Sequence, residues 1–177
     1  ADVAFSGNPA LLFLAQAALY FGMLMYAVML PLMIYRIIFA EQIPDAAQPT
    51  LAILAAPASL SLAGYFTVVT QPSPVIIGGL FGIAILMTLI IYTAFFKLLR
   101  RRFCPGFAAF TFPMVIGATA LFKLADWMLT MNVDVQFINQ IHHLAVVELL
   151  VASAVVGYVA IRYTHYFSSL ALNGLRV

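Results

Sequence analysis

Five apolar runs, each long enough to cross a lipid bilayer, are separated in this chain by short polar or basic segments. Such runs leave few folds open, because backbone amides inside lipid must be hydrogen-bonded within their own segment, which means helices. The runs predict helices over about 9–39, 49–70, 74–99, 106–126 and 140–166 of the 177 residues. With 65% hydrophobic and 8% charged residues there is too little polar surface for a water-soluble domain, so the chain reads as one all-α transmembrane domain over 1–177.

The first helix has a clear start at Asn8-Pro9, a capping side chain followed by proline in the first turn, and Pro31 should kink it. The loop from Glu41 to Gln48 is polar. The second helix is rich in small residues (Ala52, Ala55, Ala56, Ala58, Ser59, Ser61, Ala63, Gly64), which permit close helix packing and equally leave room for a lumen. Pro57 interrupts it and frees the carbonyl of Ile53. Gln71-Pro72-Ser73-Pro74 is a tight turn into the third helix, which ends at Lys97 and Arg100-Arg101-Arg102. The fourth leaves the membrane near Lys123, Asp126 and Trp127. A longer polar connection to about Asn139 precedes the fifth.

Charge is sorted by topology. Arg36, Lys97, Arg100, Arg101, Arg102, Arg162 and Arg176 fall on one side of a five-crossing arrangement. Only Lys123 falls on the other, among Asp126, Asp134 and Asp2. The positive-inside rule then places the C-terminus in the cytoplasm. The basic cluster could bind anionic headgroups, but orientation is its simplest meaning. The first residues, Ala1-Asp2-Val3, suggest part of a longer or trimmed protein.

The segment Phe110-Thr111-Phe112-Pro113-Met114 is the most unusual. Pro113 frees the carbonyl of Ala109 and breaks the helix, and bulky Phe112 stands beside the break among Ala108, Ala109, Gly117 and Ala118. Two accounts fit: a pore constriction, or a proline-kinked packing helix with Phe112 in the core. The segment alone favours the second. The two broken helices alternate with three others, so spans two–three and four–five read as hairpins of a kinked inner helix and a straighter outer one.

Tyr35-Arg36, then Pro49-Thr50 leading into Leu54-Ala55-Ala56-Pro57-Ala58-Ser59, then Phe110-Thr111-Phe112-Pro113-Met114, together resemble the tellurite-resistance/dicarboxylate transporter family, which includes plant slow-type anion channels. The resemblance covers nearly the whole chain. It implies a ten-helix protomer of five hairpins around a central pore, assembled as a homotrimer, with a phenylalanine on the ninth helix closing the pore. The five helices here would be the sixth to tenth, the C-terminal half, and Phe112 the gate. Helices equivalent to the first five would have to come from an N-terminal half of the same protein. A bacterial inner membrane is the expected location.

The chemistry of the inner faces agrees with passive conduction. The second helix carries no charge, and the fourth none before Lys123. Conduction needs weak, leavable sites, so an uncharged lumen suits small monovalent anions such as chloride and nitrate. Pro57, Ser59, Ser61, Ala108, Thr111, Pro113 and Ile116 are the candidate lining or kink residues. Lys123 would concentrate anions at the outer mouth, although a snorkelling interfacial lysine is the plainer account. Glu148, the one acid within a span, reads as a structural hydrogen bond or ion pair, or else as a proton-coupling group in a carrier for dicarboxylate or sulfite. A scaffold subunit is a third reading, should five helices be the whole product.

Other functions find no support. His142, His143 and His165 share one helix and cannot face each other across a haem, and Lys123 is too near the membrane edge for a retinal. Cys104 has no partner for a disulfide and no ligand cluster around it. No metal, no cofactor, no catalytic triad or phosphate loop is expected, and a net charge of +2 is too small to imply nucleic acid.

Overall fold

The computed structural model describes residues 7–39, 44, 48–98, 100 and 103–174. Asp2, most of the loop between the first two helices, Arg101, Arg102 and Arg176 lie outside the described residues, as does the side chain of Lys97. The described chain is helical, and five of its segments are long and apolar enough to cross a membrane.

The first helix, α1 (Pro9–Phe39), runs without a break through Pro31. Its start is capped as the sequence suggests, the Leu11 amide donating to Asn8 Oδ1 at 3.3 Å. The second span is not one α-helix with a bend in its middle. Residues Gln48–Ala55 wind as a 3-10 helix, and α2 (Ala56–Val68) begins one residue before Pro57. The fourth span repeats this design, with a 3-10 segment Pro105–Phe110 followed by α4 (Thr111–Thr130), in which Pro113 is the third residue. In both, proline occupies the first turn of a new α-helix, where its missing N–H has no intrahelical duty. The residues before it close i→i+3 bonds instead. Each proline thus opens a new helix after a tightened turn.

The third helix, α3 (Pro74–Leu98), is continuous. The fifth, α5 (Val135–Gly174), is 40 residues long and starts about five residues before its expected position. The long polar connection expected over 127–139 shrinks to a turn around Asn132, which adopts a left-handed φ of 52° that asparagine tolerates. Asp134 then caps α5, its Oδ1 accepting from the Gln136 amide at 2.9 Å.

Cross-helix contacts show that successive helices run antiparallel. Gln16, near the start of α1, donates from Nε2 to the Val68 carbonyl at the end of α2, at 2.8 Å. The Tyr163 hydroxyl, late in α5, donates to the Pro105 carbonyl at the start of the fourth span. The core forms two layers. One holds Ala52, Ala55, Ile91, Phe95, Phe107, Phe110 and Val155, toward the end bearing Arg36, Arg100 and Arg162. The other holds Leu62, Tyr65, Ile77, Leu80, Ala120 and Leu124, toward the end bearing Lys123 and Asp126.

Burial separates inner from outer elements. In the most apolar stretch of each helix, half of the residues are buried in both broken spans, against 28% in α3 and α5 and none in α1. The broken spans pack on each other, with α3 and α5 outside them and α1 lying on α2.

Replacing Asp134 by alanine should cost the start of α5 about 1 kcal/mol. Amide hydrogen exchange at residues 135–138 should then speed roughly fivefold, with the rest of α5 unchanged.

Candidate functional site

The two 3-10 segments pack against each other where the broken helices meet. This junction is held by rings: Phe110 stands edge-on to Phe107 at 5.2 Å and to Phe95 at 5.4 Å. Phe107, Phe110, Pro113 and Met114 are wholly enclosed. They anchor the start of α4 on both sides of Phe112.

Phe112 itself is outside this core. It is 52% exposed, so it is not a packing residue of the described bundle. Helical spacing aligns it with Val115, Ile116 and Thr119 on one face of α4, with Ala108 one turn before it in the 3-10 segment. Ala108 and Val115 are exposed, and Thr111, Ile116 and Thr119 are partly so. The hydroxyls on this face are turned to the helix backbone, Thr111 donating to the Ala108 carbonyl at 2.8 Å and Thr119 to that of Val115 at 3.0 Å. The strip is uncharged from Ala108 to Thr119 and about 18 Å long at the rises of the 3-10 and α segments. Lys123 lies half-buried beyond its far end, one turn before exposed Asp126.

On α2, Pro57 is partly exposed, while Ser59 and Ser61 are buried, at 1% and 8% exposure. Ser59 lines a cavity of about 140 Å³ between the helices, together with Thr88, Tyr92, Gly117, Leu121 and Glu148. Glu148 is the buried acid, 6% exposed. The Tyr92 hydroxyl donates to its Oε2 at 2.5 Å, and its Oε1 is buried with no partner. That oxygen presses on α4, since a Cβ added to Gly117 would stand 3.1 Å from it. Glu148 sits about three and a half turns into α5, deeper than the two turns expected, because α5 starts early.

At 100° per residue, Gly117 lies about 140° around α4 from Phe112. The carboxyl therefore backs the helix from the side away from the exposed strip. It clamps α3, α4 and α5 together and is no part of the Phe112 face.

The histidines are dispersed. His142 stands edge-on to Phe122 at 5.4 Å, and His165 lies at the other end of α5. Among the described residues no group of histidine, cysteine and acid side chains is placed to hold a metal ion.

Sequence reasoning singled out Phe112, both prolines and Glu148. It did not name Val115 and Thr119, which share the exposed face of Phe112 and which the three- and seven-residue spacing would have supplied. It also missed Tyr92 as the partner of Glu148.

These features describe a polytopic helical membrane protein with two proline-broken helices at its centre. The chain belongs to the voltage-dependent anion channel family, whose family model matches residues 2–164. This is the family, with its tellurite-resistance members, that the proline segments resemble. Its members are channels and transporters, so anion transport is the general function. No curated relative and no solved structure is significantly similar to the chain.

Gly117→Ala should destabilise the fold by about 1–3 kcal/mol through the overpacked contact with Glu148. Most of that loss should vanish in a Glu148→Ala background, giving a coupling of about 1 kcal/mol or more. Unfolding of the four proteins in one detergent measures it.

Proposed function

We propose that the chain is part of an anion channel that passes small monovalent anions, chloride and nitrate among them, through a proline-kinked pore gated by Phe112. In this reading the five helices are the C-terminal half of a ten-helix protomer of hairpins. Helices of an N-terminal half complete the lumen, and three protomers form a homotrimer. The protein sits in a bacterial inner membrane with its C-terminus in the cytoplasm and Lys123 at the outer mouth. Pro57 and Pro113 set the kinks, while Ala108 from the 3-10 segment and Thr111 and Ile116 from α4 line the lumen and Ser59 and Ser61 belong to α2.

One observation carries the reading: the aromatic side chain next to the proline break of an inner helix is left out of a core that encloses its neighbours Phe110, Pro113 and Met114. An aromatic on an otherwise small, uncharged face narrows a passage without binding the ion, which is what a gate needs. The absence of charge from Ala108 to Thr119 suits weak, leavable anion sites.

Glu148 favours a second reading, a proton-coupled or exchange carrier for dicarboxylate or sulfite. An intramembrane carboxyl with one unpartnered oxygen is a costly feature to keep.

Anion current through the full-length protein separates the two. Phe112→Ala should raise chloride or nitrate current at least about tenfold, equal to ~1.4 kcal/mol off the barrier, with Phe112→Leu between it and wild type. Glu148→Gln should leave that current unchanged. Saturating transport that depends on a pH gradient and disappears in Glu148→Gln would establish the carrier instead.

A further inference from the structure

At the basic end of the bundle, α3 and α5 part. Among the described residues the two helices share no extended packing, and the Tyr92–Glu148 hydrogen bond bridges them near mid-height. Beyond that bridge lies a groove of about 570 Å³, walled by Phe95, Val151, Ala154, Val155 and Tyr158 and bounded by Arg100. Farther along α5, a second hollow of about 420 Å³ contains Arg162 and His165. Arg162 stands at the border of the two. Its guanidinium lies 5.8 Å from the ring of Tyr158, a wall of the groove, and 5.5 Å from that of Phe103, a wall of the second hollow.

The geometry points to a binding site for a single anionic phospholipid, with an acyl chain in the α3–α5 groove and its phosphate between Arg100 and Arg162. Three features select this occupant. The walls are apolar, which suits a hydrocarbon chain and not water. Six residues of α3 separate Tyr92 from its last residue, Leu98, about 9 Å of rise, and Arg100 stands in the turn beyond that end. The groove thus lies within the depth of one leaflet, about 15 Å, and a lipid with its head at Arg100 would run its chain toward the Tyr92–Glu148 bridge. Finally, the apolar groove is bounded by the cation Arg100, with Arg162 beside its wall at Tyr158, the polarity of an acyl chain below an anionic head.

Charge sets the preference among lipids. Basic pockets between transmembrane helices hold anionic headgroups, and each cation near the surface is worth about 1 kcal/mol. An anionic phosphodiester therefore outcompetes a zwitterionic one with the same chains. This site lies on the outer helices and does not depend on which anion crosses the pore, or on whether the protein is a channel or a carrier.

Native mass spectrometry of the purified full-length protein tests the site, with phosphatidylglycerol and phosphatidylcholine of matched chains as probes. Wild type should retain phosphatidylglycerol in preference to phosphatidylcholine. Arg100→Ala should weaken phosphatidylglycerol roughly fivefold, the equivalent of one surface cation, and leave phosphatidylcholine unchanged. Ala154→Phe, which fills the groove, should weaken both. Arg100 and Ala154 are exposed, so neither change removes core packing, and circular dichroism melts verify the fold of each variant. Equal retention of the two lipids by wild type, or phosphatidylglycerol binding by Arg100→Ala at wild-type strength, overturns the proposal.

Discussion

Two prolines that cannot donate a backbone hydrogen bond decide how this bundle is built. In lipid, a carbonyl left without its partner is tolerated only where protein or water meets it. Pro57 and Pro113 each open an α-helix, and in each case the preceding residues tighten into a 3-10 turn. Placing both breaks at the centre of the bundle, against each other, puts the irregular backbone where neighbouring segments cover it. The outer positions then go to the continuous helices, α1 with its Pro31 among them. What marks the inner spans is a proline at which a 3-10 turn gives way to a new α-helix, and not a proline as such, since α1 passes through Pro31 unbroken.

The same breaks divide the functions of α4 between two faces. One is packed: Phe110, Pro113 and Met114 fix the start of the helix, and Gly117 admits the carboxyl of Glu148. The other, from Ala108 to Thr119, is uncharged and presents Phe112 outside the core. A buried carboxyl with one donor is expensive to hold. Here its oxygens reach two helices, taking a hydrogen bond from Tyr92 on α3 and pressing on Gly117 of α4. This polar clamp fixes the back of α4 while the Phe112 face stays free of charge.

Much of this was readable from local chemistry. Asn8-Pro9 marked the start of α1, the hydropathy runs marked five spans, and Pro57 and Pro113 marked the breaks. The 3-10 turns were not readable, because proline requires only that the α-ladder be interrupted and leaves open how the residues before it wind. The start of α5 was misread because Asn132 and Asp134 look like loop residues. They form a left-handed turn and an N-cap, which shorten the connection to a few residues. For Phe112, proximity to a break allowed either a core or a constriction, and only three-dimensional burial showed that its neighbours fill the core without it. Glu148 could be singled out as an acid in lipid, but Tyr92, 56 residues away on another helix, carried no sequence signal of the pairing.

The central claim is that the Phe112 face of α4 meets water and not lipid. Single cysteines at positions 108, 112, 115 and 119, and at 114 and 118 on the packed face, test it in the full-length protein with Cys104 replaced by serine. An anionic, membrane-impermeant thiol reagent should modify 108, 115 and 119, react fastest at 112 where the ring has been removed, and spare 114 and 118. No reaction at any of the four strip positions, with labelling there by a lipid-soluble reagent, would place that face in the bilayer and contradict the account.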